Sequence, residues 1–151
     1  MAVKTYSLKK SGTVKLSNNF RVREFRCKNG SDKILIADEL VKLLQKIRDH
    51  YGKPITINSA YRTPAYNKKV GGAKYSQHVQ GKAADIVISG VTPYEVAKYA
   101  ESLGAGGIGL YNSFTHVDVR PGKSRWDQRS GKQVIVKTFK KIDHFREMSR
   151  R

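Results

Sequence analysis

Four polar residues in the middle of the chain have the types and the spacing of a metal site. His78 and Asp85 stand seven residues apart with Gly81 between them, and His116 and Asp118 stand two residues apart. A turn at Gly81 would fold the His78 loop back over a strand that carries Asp85. Period-2 alternation places His116 and Asp118 on one face of another strand. Two imidazoles and one carboxylate form a three-ligand zinc set whose fourth position is open to water.

Each of these features also has a structural interpretation. A His-x-Asp pair on a strand is often a hydrogen-bonded pair that supports the fold, and short motifs of this kind have a high false-positive rate. The spacing alone therefore leaves a metal site and a structural role open. We interpret His50 and His144 as solvated or structural. The single cysteine, Cys27, excludes a disulfide framework and is interpreted as a buried or incidental thiol, because no catalytic pattern surrounds it.

The segments around these motifs predict a small α+β domain, in which helices pack on a mainly antiparallel sheet. Apolar spacing predicts a helix from Ile36 to Tyr51. A short helix begins at Pro64, and another follows Thr92, which forms a capping box with Glu95. Short apolar runs predict strands over residues 54–59, 82–88, 106–111 and 114–119, with one further strand within 132–139.

The length and composition limit the class of protein. With 151 residues, the chain has room for one domain, and a hydrophobic content of 38% is enough for a core. No run approaches the roughly 18 apolar residues that a membrane helix needs. The N-terminal segment has no apolar stretch of the secretory type, so we expect no signal peptide.

The charge is strongly positive and unevenly distributed. Thirty Lys and Arg residues against twelve Asp and Glu residues give a net charge of +18. Residues 1–28 have a net charge of +7 and residues 120–151 of +8, whereas residues 29–119 have only +3. A near-neutral centre between two cationic ends predicts chemistry in the middle of the chain and adhesion to a polyanion outside it.

Several motifs in a fixed order resemble one enzyme family. The patterns Ser76-x-His78-x-x-Gly81-x-Ala83-x-Asp85 and His116-x-Asp118 are similar to the signature of the zinc D-Ala-D-Ala metallopeptidases, which include carboxypeptidases, dipeptidases and phage L-Ala-D-Glu endopeptidases. The segments F-R-V-R-E-F-R-C-K-N-G, N-S-A-Y-R-T-P-A-Y-N and G-G-I-G-L-Y resemble the small carboxypeptidase-like branch. The resemblance covers about two thirds of the chain. It implies a peptidase domain at 20–126 between basic extensions at 1–19 and 127–151.

This resemblance implies a role for each matching residue. His78, Asp85 and His116 would bind one Zn²⁺ per chain. Arg62 would hold or polarise a carbonyl or carboxylate of the substrate, and Ser76 would lie near the substrate.

The chain departs from the family pattern at the general base. Better-known members carry Asp or Glu three residues before the third ligand, where this chain has Ser113, which cannot take up a proton from water. Asp118 then has two possible roles. It is either the general base or the carboxylate that holds the His116 ring in one tautomer.

The sequence thus predicts a zinc metallopeptidase that hydrolyses the stem peptides or cross-links of bacterial peptidoglycan, of the phage or prophage endolysin type. Such an enzyme would be made in the bacterial cytoplasm and act on the cell wall after release, with its basic ends bound to anionic wall polymers. The alternative is a catalytically inactive protein that binds wall polyanions or nucleic acid and keeps zinc for structure. Nucleic acid is disfavoured because no known binding motif is present, and the intact ligand set with Arg62 favours catalysis.

Overall fold

A computed structural model of the chain describes residues 1–139. The elements of its first part are β1 (Val3–Ser7), α1 (Leu8–Ser11), β2 (Lys15–Ser17), β3 (Phe20–Arg21), a 3₁₀ helix (Val22–Phe25), β4 (Lys33–Ala37) and α2 (Asp38–Tyr51). The elements that follow are β5 (Ile55–Ser59), α3 (Pro64–Lys69), β6 (Ala83–Ile88), α4 (Pro93–Ser102), β7 (Gly107–Leu110), β8 (Thr115–Asp118), β9 (Ser124–Asp127) and β10 (Val134–Ile135).

The main sheet has six strands in the order β10-β9-β7-β8-β6-β5. All neighbouring strands in it are antiparallel except β7 and β9, which are parallel. Two smaller two-stranded sheets pair β1 with β4 and β2 with β3. The predicted α+β class, with a mainly antiparallel sheet, is confirmed.

The hydrophobic core lies between the main sheet and helices α2 and α4. Helix α2 buries one face through Leu40, Leu44 and Ile47, which are at most 1% exposed. Complete burial of each such side chain contributes about 1.5–3 kcal/mol to folding. Helix α4 packs on β7 and β8, and its predicted capping box between Thr92 and Glu95 is present. The core thus fixes β6, β7 and β8, the strands on which the candidate site lies.

The predicted helix from Ile36 to Tyr51 is wrong at its start. Ile36 lies in β4, where it pairs with Lys4 of β1, and the helix begins at Asp38. Ile36 fits the helical spacing of Leu40 and Leu44 because all three side chains enter the same core. The partner strand, β1, lies about thirty residues away in sequence, so local periodicity gave no sign of this pairing.

Both predicted extensions contain ordered elements. Residues 1–19 include β1, α1 and β2. Within the predicted extension at 127–151, Val134 and Ile135 form β10 and Phe139 is fully buried in the core, whereas His144 lies outside the described residues. Across residues 1–139, no helix combines the length and the apolar character needed to cross a membrane.

Candidate metal centre

Three buried side chains from separate parts of the chain converge on one point. The candidate ligand atoms of His78, Asp85 and His116 all lie within 4.8 Å of one another. Oδ1 of Asp85 is 3.3 Å from Nε2 of His78 and 3.0 Å from Nδ1 of His116. The three residues are only 4%, 7% and 8% exposed. One carboxylate oxygen and two imidazole nitrogens therefore face a common centre, which is the donor set expected for zinc.

The sheet and one turn bring these residues together. Asp85 on β6 and His116 on β8 are directly opposite each other in the antiparallel register. His78 belongs to the loop before β6, which turns at Gly81 with φ of +74°. A Cβ at Gly81 would also overlap the backbone of Leu35, so only glycine fits this turn. The predicted folding of the His78 loop over the Asp85 strand is present in the structure.

Each histidine is oriented by an oxygen on the side of its ring away from Asp85. Nδ1 of His78 lies 2.7 Å from the carbonyl oxygen of Ala60, and Nε2 of His116 lies 2.7 Å from Oδ2 of Asp118. An N–H at these two positions donates to the oxygen, so the nitrogen that faces Asp85 is the one that can exchange a proton for a bound cation. Oxygen partners of this kind are typical of metal-binding histidines, because they fix the tautomer and the ring orientation.

Asp118 is fully buried and is surrounded by hydrogen-bond donors. Oδ2 accepts from Nη2 of Arg120 at 2.7 Å, in addition to the His116 ring. Oδ1 accepts from the backbone N–H groups of Gly107 at 2.8 Å and Arg120 at 3.0 Å. The carboxylate thus lies on the Nε2 side of the His116 ring, whereas Asp85 and His78 lie on its Nδ1 side. Of the two roles predicted for Asp118, these contacts favour holding the ring.

Arg62 lies at the other oxygen of Asp85. Its Nη2 is 3.7 Å from Oδ2 of Asp85, its Nε donates to Oγ of Ser59 at 3.2 Å, and its Nη1 donates to Oδ1 of Asn67 at 3.2 Å. The two carboxylate oxygens of Asp85 are therefore divided, with Oδ1 facing the histidines and Oδ2 facing the guanidinium. Ser76 is also at the site, where its Oγ accepts from the backbone N–H of His78 at 3.1 Å.

The electrostatics of the cluster favour a cation at its centre. Burial would raise the pKa of Asp85, but hydrogen bonds from His116 and His78 outweigh it and hold this pKa well below its ordinary value. Burial would lower the pKa of His116, but its hydrogen bonds with Asp118 and Asp85 raise this pKa from 6.5 to about 9. Two ionised carboxylates thus flank one imidazole, and a proton and a metal ion compete for its Nδ1.

Comparison with known proteins places the chain in a family. A model of the family described as Peptidase M15 matches residues 15–118, which include all three candidate ligands as well as Arg62 and Asp118. The chain belongs to the peptidase M15 family. The resemblance inferred from the motifs is confirmed by this match.

Curated relatives of this M15 chain act on peptidoglycan or carry zinc in their names. The peptidoglycan L,D-endopeptidase MepK of Escherichia coli is 36% identical over 78 residues, covering 47% of this chain and 43% of that protein. The probable MepK of Haemophilus influenzae is 40% identical over 74 residues, with coverage of 44% and 40%. The zinc D-Ala-D-Ala carboxypeptidase of Streptomyces albus G is 38% identical over 81 residues, with coverage of 49% and 31%. The M15 chain thus spans less than half the length of these relatives.

Sequence reasoning missed two side chains of this M15 site, one that holds Asp118 and one that packs on the His116 ring. Arg120 holds Asp118 through its side chain and backbone, and its guanidinium carbon is 5.5 Å from the centre of the Trp126 ring. The indole of Trp126 in turn packs on the His116 ring, with 5.1 Å between ring centres. Gly109 permits this packing, because a Cβ there would overlap the indole. The only signal in the sequence was the glycine-rich G-G-I-G segment, which marks a strand that other groups approach closely.

Proposed function

We propose that this chain is a zinc-dependent peptidase that hydrolyses peptide bonds of bacterial peptidoglycan. The observation that carries this proposal is the orientation of the two histidines. Each directs one ring nitrogen at Oδ1 of Asp85, while the nitrogen on the opposite side of the ring lies 2.7 Å from another oxygen, of Ala60 or Asp118. A purely structural His–Asp cluster does not require this arrangement of both rings around one carboxylate oxygen, whereas a bound cation does.

The donor set fits zinc. His78, Asp85 and His116 provide two imidazole nitrogens and one carboxylate oxygen, the type of set that leaves a fourth position free in catalytic zinc sites. When bound, zinc supplies Lewis acidity that polarises a peptide carbonyl and favours the deprotonation of water. Asp118 keeps the His116 ring in one tautomer by accepting a hydrogen bond from its Nε2–H.

Arg62 is the group of this chain best placed to hold the substrate. Its guanidinium lies beside Asp85 and is fixed on two sides by Ser59 and Asn67. Among residues 1–139, Nη1 has one described hydrogen bond, to Asn67, and the contact of Nη2 with Asp85 is a 3.7 Å ion pair rather than a hydrogen bond, so each terminal nitrogen keeps an N–H for the substrate. These two donors can bind a carboxylate or a carbonyl oxygen of the peptide, and the positive charge stabilises negative charge that develops on that oxygen.

Digestion of purified peptidoglycan tests the proposal and identifies the bond that is cut. The protein is loaded with zinc, incubated with walls of several bacterial types, and the new termini are identified by mass spectrometry. Release of L-Ala carboxyl termini with new D-Glu amino termini would indicate an L,D-endopeptidase, and release of free D-Ala would indicate a carboxypeptidase. An absence of new termini with zinc bound would refute the proposal. Asp85→Asn should abolish cleavage, and Asp127→Asn, on β9, serves as a matched control.

We further propose an endolysin-type role in which basic surface residues hold the enzyme on anionic wall polymers. In residues 1–28, seven of the eight Lys and Arg side chains are exposed. Because such attraction between exposed charges is screened within about 8 Å at physiological salt, binding to walls should fall steeply as salt rises. Reversal of Lys15 and Arg23 to glutamate should weaken co-sedimentation with walls more than reversal of Lys53. Equal binding by the two variants would show that Lys15 and Arg23 do not hold the enzyme on the wall.

A further inference from the structure

The side chain of Asn67 is buried although it is polar, and it connects two parts of the candidate site. Asn67 lies on α3 and is only 3% exposed. Its Oδ1 accepts from Nη1 of Arg62 at 3.2 Å, and its Nδ2 donates to the carbonyl oxygen of Ala73 at 2.8 Å. Both ends of the amide are thus paired, as burial of a polar group requires.

Space around this contact is kept free by Gly72. A Cβ at Gly72 would overlap Oδ1 of Asn67 and lie 3.0 Å from Nη1 of Arg62. Gly72 does not have a positive φ, unlike Gly71, so its backbone conformation does not call for glycine. The absence of a side chain at Gly72 therefore serves the Asn67–Arg62 contact.

Without Asn67, the guanidinium of Arg62 would be held less firmly. The guanidinium of Arg62 has three described contacts, which are Ser59 at Nε, Asn67 at Nη1 and Asp85 at Nη2. The contact with Asp85 is an ion pair of 3.7 Å, longer than a hydrogen bond. Ser59 binds Nε, the nitrogen nearest the rest of the side chain. Asn67 is therefore the described hydrogen-bond partner that fixes the terminal nitrogens.

We propose that Asn67 is a positioning residue for the peptidase reaction, which acts by fixing the Arg62 guanidinium beside Asp85 in the orientation that receives the substrate. This inference rests on the proposed function. It assigns to α3, the short helix that begins at Pro64, the task of supplying this contact. The motif that resembles the family's arginine segment therefore extends from Arg62 through Asn67 to Gly72.

A double-mutant cycle tests whether Asn67 acts through Arg62. Misplacement of a positioning group by about 1 Å costs about 100-fold in rate, so Asn67→Ala should lower kcat/KM by about 10- to 100-fold. In an Arg62→Ala background, measured with high enzyme concentration, the same change should lower kcat/KM by less than about 2-fold. Equal losses in the two backgrounds would overturn the proposal, because a merely structural role is additive.

Two further variants separate positioning from stability. Asn67→Asp keeps an oxygen for Arg62 but loses the donor to Ala73, so it should retain most of the activity that Asn67→Ala loses. Thr92→Ala removes the N-cap of α4, where Oγ1 accepts from the backbone N–H of Glu95 at 3.1 Å, on a different helix from Asn67. It should lower the unfolding temperature with little effect on kcat/KM. Equal loss of activity in Asn67→Asp and Asn67→Ala would contradict the proposal.

A readout without catalysis keeps the two proposals distinguishable. In the ¹⁵N–¹H spectrum, the Nε–H signal of Arg62 is identified by its loss in Arg62→Lys. Its heteronuclear NOE should report an ordered side chain in the native protein and a mobile one in Asn67→Ala. An ordered Arg62 in Asn67→Ala would refute the positioning role even if the protein cleaves peptidoglycan. Wild-type protein that binds zinc but cleaves nothing would refute the proposed function, and the NMR result would still decide the role of Asn67.

Discussion

Replacement of Asp118 by asparagine tests how the protein orients the His116 ring. Every described polar neighbour of the Asp118 carboxylate is a hydrogen-bond donor. These donors are Nε2 of His116, the backbone N–H of Gly107, and the backbone and guanidinium of Arg120. An asparagine amide has the same shape but presents an NH₂ group on one side. Oδ1 accepts two backbone N–H groups, whereas Oδ2 accepts only from side chains, so the amide keeps its oxygen on the backbone side. Its NH₂ group then faces Nε2 of His116, and the His116 contact is lost.

The size of the effect follows from these contacts. A hydrogen bond to a charged group contributes about 1.5–3 kcal/mol. At about 1.4 kcal/mol per factor of ten, loss of the His116 contact corresponds to about a 10- to 100-fold weaker affinity for zinc. The same range is typical when the oxygen partner of a metal-binding histidine is removed. We therefore expect Asp118→Asn to fold and to bind zinc about 10- to 100-fold more weakly.

Competition with a chromophoric chelator measures this affinity at fixed pH. Asp127→Asn is a matched control, because Asp127 holds Arg129 by the same fork that Asp118 makes with Arg120, with Nη2–Oδ2 distances of 2.7 Å in both pairs. Asp127 lies on β9, which is separated from β8 by β7. Its replacement should leave zinc affinity within about 2-fold, because the side chain that its fork holds is Arg129 rather than a candidate metal ligand.

The outcome also separates the two roles predicted for Asp118. If Asp118 is the general base, Asp118→Asn keeps its zinc affinity and loses kcat. If it holds the ring, zinc affinity falls. Wild-type affinity in folded Asp118→Asn protein would therefore refute the ring-holding role. An equal loss of affinity in Asp127→Asn would refute it too, because that result would point to general destabilisation.

Three further predictions concern the metal and the stability of the fold. Removal of zinc with a chelator should abolish cleavage and lower the unfolding temperature. The reason is that free ligand at 1,000 times its Kd stabilises the folded protein by about 4 kcal/mol. An unchanged unfolding temperature would contradict zinc binding. Glu101→Ala leaves the guanidinium of Arg125, 4% exposed, without its carboxylate and should cost about 3–5 kcal/mol in urea unfolding. Glu95→Ala, which opens only an exposed capping box, should cost less. Hydrogen bonds from the backbone N–H of Lys9 and the Ser7 hydroxyl lower the pKa of Asp32, so its stabilisation is present above its unfolded pKa and is lost as pH falls through the folded pKa. With Asp32→Asn, the free energy of unfolding should therefore fall less steeply as the pH is lowered. The same pH dependence in the variant and the native protein would exclude this contribution.

The ligand cluster could be predicted because local patterns encode it. Alternation along a strand placed His116 and Asp118 on one face, and the turn at Gly81 returned His78 to the strand of Asp85. Sequence alone could not give the pairing of Asp85 with His116, because the register between β6 and β8 is set by packing of the whole sheet. The family resemblance supplied that convergence, and the register accounts for it physically.

The role of Asp118 was left open because it depends on which nitrogen of His116 it contacts. Spacing shows that two side chains share a face, but it does not show which side of a ring faces which partner. Arg120 decides this question. Its guanidinium and backbone fix the carboxylate with Oδ2 at Nε2 of the ring. An Asp-x-Arg pattern has no specificity in sequence, since Asp127 and Arg129 form the same fork at the end of β9.

The strand β7 contributes to the site through the side chains that it lacks. It lies between β8 and β9, and a Cβ at Gly107 would overlap Oδ2 of Asp118, while a Cβ at Gly109 would overlap the indole of Trp126. Side chains from both neighbouring strands therefore meet above β7, where the indole of Trp126 reaches the His116 ring. By propensity alone a run of glycines weakens a strand. Its presence at the centre of this sheet is explained by the packing around His116, a candidate metal ligand, because larger residues would fill the space that Asp118 and Trp126 occupy beside it.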